Sequence, residues 1–285
     1  MDHVNAVETI AAARQAAVQK ASLPATQMLV RGALAGVFLG YATSLAMIIQ
    51  AQGLPPIVAA ICFPVGFVML VLLGLELATG NFALLSLGMA AGEVRTRDLL
   101  RNWGWVYVGN LAGSAAYAML FYLAVTNVGD SPGGALGDQI RKVAQAKTIG
   151  YAALGARGWA AALIKGVLCN WMVTLGAVLA FASRSTIGKI AAMWLPIATF
   201  FAHGYEHSIV NMYVIPAGML LGAPVSLTDW WLWNQVPVTI GNILAAVLLT
   251  ALPLALSYPR PAAAGPRTVR ESDTAFAPTA SAEAV

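Results

Sequence analysis

Charged residues are scarce in this sequence. Only 10% of its 285 residues are Asp, Glu, Lys or Arg, whereas about 25% is usual in soluble globular proteins, and hydrophobic residues make up 59%. So few charges cannot cover a water-exposed surface, which excludes a soluble fold. The formal net charge of +4 does not indicate a nucleic-acid partner, because the basic residues are dispersed near the ends of apolar runs and form no patch.

Cysteine is equally sparse. The two cysteines, Cys62 and Cys169, lie inside apolar segments and show neither metal-ligand spacing nor the pattern of a disulfide framework. We therefore predict no metal and no cofactor. A cleavable signal peptide is not indicated, because Asp2 and Glu8 occupy the place of a basic n-region and no apolar run follows them.

Long apolar runs dominate the rest of the chain. A bilayer-spanning helix needs about 20 mostly apolar residues. The second and fifth runs are long and interrupted by glycine, which favours broken helices. This pattern predicts an all-α membrane protein with a cytoplasmic amphipathic segment (1–28), a six-span transmembrane domain (29–258) and a disordered cytoplasmic tail (259–285). The six predicted spans lie at about 31–50, 57–76, 105–125, 160–182, 190–221 and 236–257.

Lysine and arginine concentrate in alternate loops, which sets the predicted orientation. The loops after spans two and four are basic, whereas the loops after spans one and five contain no Lys or Arg. Both termini are therefore predicted to be cytoplasmic, with the chain in the inner membrane. The long basic loop at 126–158 is an exception, and long loops follow the rule less strictly. The basic residues after spans two and four are Arg95, Arg97, Arg101, Arg184 and Lys189.

The two halves of the chain resemble each other. Gly74-Leu-Glu76 matches Gly204-Tyr-Glu206 at an offset of 130 residues, and Gly109-Asn110 matches Gly241-Asn242 at an offset of 132. Each half contains three spans, so the second half enters the membrane from the opposite side and the repeat is inverted. Inverted repeats are common in transporters and channels, where the pathway lies near the pseudo-two-fold axis.

Polar residues occur where the matched segments interrupt the second and fifth spans. Charge at the bilayer centre costs about 2.5–3.5 kcal/mol on insertion scales, so Glu76, Glu206 and His207 need partners or a wet cavity. For the glutamates, both a pathway role and a structural role in capping broken helices remain open. For His207 we favour a functional role, with the hydroxyl of Thr79 able to orient its imidazole. The apolar residues spaced to face a lumen near this pair are Phe63, Phe67, Leu77 and Phe200.

Four segments carry a resemblance to a known family. They are Glu76-Leu-Ala-Thr-Gly-Asn81, Lys165-Gly-Val-Leu-Cys-Asn-Trp171, Glu206-His-Ser-Ile-Val-Asn-Met212 and Pro237-Val-Thr-Ile-Gly-Asn242. Over about residues 25–258, the chain resembles the formate–nitrite transporter family. The resemblance implies an aquaporin-like protomer, a homopentameric ring with one pore in each protomer, and passage of small monovalent anions such as formate, nitrite or hydrosulfide.

The resemblance also implies roles for individual residues. The family's central histidine and pore threonine correspond to His207 and Thr79, and its constriction corresponds to Phe63, Phe67, Leu77 and Phe200. The polar residues around the histidine correspond to Asn170, Glu206 and Asn211. The basic residues that compete for the anion-attracting vestibule position are Lys147, Arg157 and Lys165. His203 departs from the family pattern and is a candidate for a second titrating group on the cytoplasmic side.

An apolar constriction explains the use of a buried histidine. Moving a bare carboxylate into a low-dielectric throat costs on the order of 20 kcal/mol in the idealised Born limit. Protonating an acid with a pKa of about 3.9 at pH 7 costs roughly 4 kcal/mol. We therefore expect the neutral acid to cross, with basic residues concentrating the anion and His207 either supplying the proton or polarising the anion.

Two other functions remain open beside a channel or transporter, which is the function we favour. His203-Gly-Tyr-Glu-His207 fits the H-x-x-E-H pattern of inverted zinc peptidases, which would make His203, Glu206 and His207 the centre of an intramembrane protease. A catalytic zinc site needs a third protein ligand, and the sequence offers no clear one. The inverted repeat is also compatible with an aquaporin-like channel for neutral solutes, although paired Asn-Pro-Ala motifs are absent.

Overall fold

The computed structural model describes residues 2–258, and this part of the chain is helical and contains no extended strand. The tail predicted at 259–285 lies outside the described residues. The helices are numbered in chain order as α1 (Ala6–Ala21), α2 (Ala25–Ala51), α3 (Pro56–Leu72), α4 (Ala78–Ala90), α5 (Thr96–Val125), α6 (Gly134–Lys147), α7 (Ile149–Ala152), α8 (Ala156–Leu179), α9 (Thr186–Ala202), α10 (Ser208–Leu220) and α11 (Leu227–Ser257).

Apolar length divides these helices into two groups. Within the described range, α2, α5, α8 and α11 are each long and apolar enough to cross a membrane. The shorter apolar helices form two consecutive pairs, α3 with α4 and α9 with α10, at the places predicted for broken helices. The predicted all-α membrane fold is confirmed, and the arrangement is consistent with six spans in an inverted repeat.

The two breaks have the same backbone shape. α3 and α9 each end in a turn at a glycine with positive φ, +63° at Gly74 and +65° at Gly204, a conformation that glycine adopts without steric cost. The chain then reaches Leu77 and His207, whose φ/ψ values are −112°/118° and −114°/119°. α4 and α10 begin directly after these residues. The halves therefore present Leu77 and His207 in the same backbone position.

The repeated Gly-Asn pairs hold the breaks in place. Asn110 Oδ1 accepts from the N–H of Ala78 at the start of α4 (2.9 Å), and its Nδ2 donates to the carbonyl of Glu76 (2.9 Å). Asn242 repeats both bonds with Ser208 N–H (3.0 Å) and Glu206 O (3.1 Å). These asparagines satisfy backbone groups that the interrupted helices leave unpaired.

The glycines of the same pairs allow close helix packing. A Cβ on Gly109 would collide with the carbonyl oxygen of Leu29, and one on Gly241 would collide with that of Leu163. α5 can therefore approach α2, and α11 can approach α8, closely enough for the neighbouring asparagine to reach the break. This explains why glycine and asparagine recur together in the sequence.

Loop contacts define two faces of the molecule. On the N-terminal face, Val4 N–H donates to Ala182 O and Arg184 N–H donates to Asp2 O, both at 2.9 Å, so the start of the chain lies beside the α8–α9 turn. On the opposite face, the end of α2 meets α6, where Gln139 Nε2 donates to Gln50 Oε1 (2.8 Å). α3 and α9 run between these faces, in opposite directions.

Several helix boundaries differ from those predicted. α5 begins at Thr96 rather than near residue 105, and α11 begins at Leu227 rather than near residue 236. Both helices extend beyond their apolar stretch, and a hydropathy criterion alone misses these polar first turns. α2 begins at Ala25, inside the segment predicted to precede the membrane domain. The π-helical stretch Trp231–Gln235 in α11 includes two buried amides, Asn234 and Gln235.

Candidate functional site

The centre of the candidate site is a hydrogen bond between the two halves of the chain. Thr79 on α4 and His207 at the second break are both buried, and Thr79 Oγ1 lies 3.0 Å from His207 Nε2. The other ring nitrogen, Nδ1, accepts from the backbone N–H of Val210 (3.2 Å). An acceptor at Nδ1 places the proton of the neutral ring on Nε2, so His207 donates to the Thr79 hydroxyl.

Asn170 on α8 joins this pair to the second repeat. Its Nδ2 donates to the carbonyl of Thr79 (3.2 Å) and to that of Asn242 (2.7 Å). Its Oδ1 is buried and has no hydrogen-bond partner among the described residues. The structure thus brings together Thr79, Asn170 and His207, which the sequence analysis grouped on the basis of the resemblance.

Two cavities approach the central pair from opposite faces. The N-terminal cavity, of about 280 Å³, is bounded by Phe67, Leu77 and Gly80 toward the centre and by Lys20 and Lys189 toward the N-terminal face. The second cavity, of about 310 Å³, is bounded by Phe200, Glu206 and His207 toward the centre and by Gln50, Lys147 and Lys165 toward the opposite face. They share no lining residue, so the apolar side chains between them separate the two spaces.

The predicted constriction residues do not all occupy equivalent places. Phe67 and Leu77 line the N-terminal cavity, and Phe200 lines the second cavity and lies over His207, with ring centroids 5.8 Å apart. Phe63 lines neither cavity. Its ring stacks on Phe201 (4.1 Å) and meets Phe200 edge-on (5.7 Å). Phe63 therefore supports Phe200 rather than facing either cavity.

Glu206 is the acceptor of a dense network beside the second cavity. Lys147 Nζ lies 2.7 Å from Oε2, Tyr151 OH donates to Oε1 (2.9 Å), and Asn211 Nδ2 donates to Oε2 (2.8 Å). Asn234 adds a longer contact to Oε2 (3.3 Å) and donates to the Lys147 carbonyl (2.9 Å). Burial and the charge of Glu206 raise the pKa of Tyr151 on α7, so its phenol stays a proton donor.

Glu76 occupies the matching place beside the N-terminal cavity. Lys20 Nζ lies 2.8 Å from its Oε1, and Asn81 Nδ2 donates to its Oε2 (2.7 Å). Asn102 accepts from Asn81 (2.9 Å) and donates to the Lys20 carbonyl (3.0 Å). This arrangement repeats the Lys147–Glu206–Asn211–Asn234 network residue for residue.

Four members of these networks were not predicted from the sequence, namely Lys20, Tyr151, Asn102 and Asn234. A signal for two of them was present, because Asn102 and Asn234 are separated by the same 132 residues as Gly109 and Gly241. Lys20 was assigned to an N-terminal segment lying apart from the membrane domain. Instead, the end of α1 reaches Glu76, because α1 packs on the domain through Ala17, which belongs to one buried apolar cluster with Leu85 and Leu99.

The three candidate vestibule cations have different surroundings. Lys147 lines the second cavity but is ion-paired with Glu206. Lys165 also lines it, with Nζ 5.4 Å from the centre of the Tyr151 ring. Arg157 is exposed and lines neither cavity, so the structure does not bring it to the site.

His203 does not lie where the sequence analysis expected it. It is exposed, its Nδ1 is 2.8 Å from Thr199 O, and its ring stacks on Tyr205. The following residue, Gly204, lines the second cavity, so His203 lies on the face opposite to the N-terminal residues, whereas it was expected on the same, cytoplasmic side as they are. The physical reason is that α9, about 25 Å long, crosses between the faces before the chain turns back to His207.

This geometry also argues against the zinc-peptidase pattern. Both ring nitrogens of His207 are engaged, Glu206 is held by Lys147, and His203 lies at the exposed end of α9. Within the described residues, no group of three or more His, Cys, Asp or Glu side chains could hold a metal ion. The H-x-x-E-H spacing therefore reflects the shape of the break and not a ligand set.

Comparisons with known proteins agree with this architecture. The structure is similar to that of an "FNT family ion channel", with a TM-score of 0.77 and 28% identity, over 88% of this chain and 99% of that one. It is also similar to a "Pentameric formate channel with formate bound", with a TM-score of 0.67 and 25% identity, over 82% and 97% of the two chains.

Curated relatives point the same way. The chain is 34% identical over 261 residues to a probable formate transporter of Methanothermobacter thermautotrophicus, covering 86% of this chain and 93% of that one. It is 30% identical over 226 residues to the formate channel FocA of Escherichia coli (strain K12), covering 73% and 76%. The formate/nitrite transporter family model matches residues 7–256. This multi-pass membrane protein therefore belongs to the formate/nitrite transporter family, and it is a channel or transporter rather than an enzyme.

Proposed function

We propose that this protein passes small monovalent anions of weak acids, such as formate or nitrite, together with one proton. The observation that carries the proposal is the buried Thr79–His207 pair, with one cavity approaching it from each face. The relatives described as formate channels and transporters support the same class of substrate.

The apolar barrier dictates that the substrate crosses as the neutral acid. Phe67, Leu77 and Phe200 offer no hydrogen bonds to replace the water around a carboxylate, and full desolvation costs on the order of 20 kcal/mol in the Born limit. Taking a proton from water in the cavity that the anion enters costs roughly 4 kcal/mol at pH 7 for an acid of pKa about 3.9. The acid then releases the proton in the opposite cavity, so one proton accompanies each anion.

In this proposal, His207 polarises the anion and does not itself carry the proton across. Its Nδ1 already accepts from Val210, so the neutral ring has one N–H, which is directed at Thr79. An anion near the pair can accept hydrogen bonds from this N–H and from the Thr79 hydroxyl. Losing the Nε2 proton would leave a buried imidazolate, so solvent in the cavity is the cheaper proton source.

The proposal extends to assembly and placement in the membrane. A related channel of known structure is described as pentameric, and we propose that five copies of this chain form a ring with a pore in each. The basic 95–101 and 184–189 segments lie on the N-terminal face, because Arg101 donates to the carbonyls of Ala21 and Leu23 and Arg184 N–H donates to the carbonyl of Asp2. By the positive-inside rule, this face and both termini belong in the cytoplasm, with the lipid of the inner membrane around the domain 29–258.

Formate uptake by vesicles containing the purified protein tests this function. Uptake into vesicles should rise as the external pH falls, because each anion crosses with a proton. His207→Phe should lower uptake at least about ten-fold at each pH, as expected for loss of about 1.4 kcal/mol or more at the barrier, while the uptake that remains keeps its pH dependence. His203→Phe is the matched control, because it removes an exposed histidine and should keep wild-type uptake. Wild-type uptake in His207→Phe would contradict the proposal.

A further inference from the structure

The N-terminal cavity contains one cation that no described carboxylate neutralises. Its charged lining residues are Lys20 and Lys189. Lys20 forms the 2.8 Å ion pair with Glu76, so these two residues contribute no net charge. Lys189, in the first turn of α9, is half-buried, and its ammonium group forms no hydrogen bond or ion pair with any described residue. The cavity therefore carries an excess of one positive charge.

The second cavity also has an excess of one positive charge, but different residues supply it. Lys147 is paired with Glu206 (2.7 Å), and Lys165 lines the cavity without a carboxylate partner among the described residues. Lys165 contacts the face of the Tyr151 ring, which does not remove its charge. Each cavity thus combines one paired lysine with one lysine left to act on a ligand.

The internal repeat does not match either unpaired lysine to a lysine in the other half of the chain. An offset of 134 residues relates Arg31-Gly-Ala-Leu34 to Lys165-Gly-Val-Leu168, so the partner of Lys165 in the first half is Arg31. Arg31 donates to Gln27 and lines neither cavity. At the offset of 132, the partner of Lys189 is Ile57. The ion pairs are therefore repeated by the fold, whereas the excess charge of each cavity comes from positions that the repeat does not match.

The geometry points to Lys189 as the anion-recruiting residue of the N-terminal cavity, with Lys165 in the same role on the opposite face. This inference rests on the proposed anion passage. An uncompensated charge between low-dielectric walls raises the local concentration of anions. Lys20 cannot do this equally well, because Glu76 cancels its field at close range. The positive end of α9 acts in the same direction as Lys189.

Formate flux from the N-terminal face, in vesicles whose protein orientation is fixed by tag accessibility, tests the inference. Lys189→Gln should raise the apparent KM for formate at least about three-fold at low salt, and the effect should nearly vanish at high salt because screening shortens the range of the charge. The maximal flux should change little. Lys189→Arg keeps the charge and should retain the wild-type KM. Arg97→Gln is the matched control, since it removes an exposed cation on the same face that lines neither cavity.

The outcomes separate this inference from the proposed function. Wild-type KM in Lys189→Gln, an equal rise in Arg97→Gln, or a rise that persists at high salt would overturn the role of Lys189 while leaving formate passage intact. Loss of maximal flux in both Lys189→Gln and Lys189→Arg would indicate a structural role instead and would also overturn it. A wild-type protein that carries no formate would overturn the proposed function and this inference together.

Discussion

The first and second breaks have nearly the same backbone but different chemistry. Leu77 and His207 share φ/ψ values within a few degrees, and each precedes a short helix that an asparagine caps. Only the second break places a titratable side chain at the centre. The comparison teaches that the two breaks are alike in geometry and different in chemistry. In the proposed function, the single imidazole serves anions that arrive from either cavity.

The two buried glutamates differ in a similar way. Glu76 accepts from Lys20 and Asn81, whereas Glu206 accepts from Lys147, Asn211, Tyr151 and, at 3.3 Å, Asn234. The second half therefore holds its carboxylate with more donors. The two lysines also come from different kinds of element. Lys20 lies near the end of α1, which packs at the N-terminal face, whereas Lys147 is the last residue of α6.

Removing the lysine that pairs with each buried glutamate should give the largest difference in the free energy of unfolding between the two halves. We expect Lys20→Met to lower the free energy of unfolding by about 3–5 kcal/mol, as when one partner of a buried pair is removed, because Glu76 keeps a single donor. Lys147→Met should cost less, since Glu206 keeps Tyr151 and the amides. Thermal unfolding of the detergent-solubilised protein measures both, with the exposed Lys142→Met as a silent control. Equal losses would contradict the inequality of the two networks.

The capping asparagines should show the opposite behaviour, equal effects in the two halves. Asn110→Ala and Asn242→Ala each leave a helix-start N–H and the carbonyl of the glutamate at the break without their side-chain partner, and we expect each to cost about 3 kcal/mol. The same unfolding assay compares them. A difference of more than about 1.5 kcal/mol, which is the size of one net hydrogen bond, would break the proposed equivalence of the caps.

Tyr151 gives the smallest effect and sharpens the comparison, because no described tyrosine donates to Glu76. Tyr151→Phe removes one hydrogen bond to a charged group and should cost about 2 kcal/mol. The raised pKa of Tyr151 means that its stabilising contribution is complete below the unfolded-state tyrosine pKa of about 10. The loss should therefore be the same at pH 6 and pH 9, as measured by unfolding at both. A loss that shrinks toward pH 9 would show that the phenol ionises.

The sequence predicted the features that recur between the halves. Gly74 and Gly204, the glutamates beside them, and the Gly-Asn pairs were all visible as matches, and the structure places each match in an equivalent position. Asn102 and Asn234 were accessible by the same reasoning and were overlooked, because an amide at the end of an apolar run carries no signal by itself.

Other features could not be predicted, because they depend on packing rather than pattern. Lys20 reaches Glu76 across 56 residues only because α1 packs on the membrane domain. His203 was placed on the wrong side because a run of apolar residues does not show that the chain crosses fully and turns back. Whether Lys147 or Lys165 remains free in the second cavity depends on the ion pair with Glu206, which spacing alone does not specify.

In the proposed function, the cargo crosses as a neutral acid beside His207. Simultaneous recording of formate and proton uptake, in vesicles loaded with a pH-sensitive dye and clamped at zero membrane potential, tests it most directly. We predict one proton for each formate, and no net current from either ion. Formate uptake accompanied by a matching negative current, with the internal pH unchanged, would show that the bare anion crosses and would contradict the account.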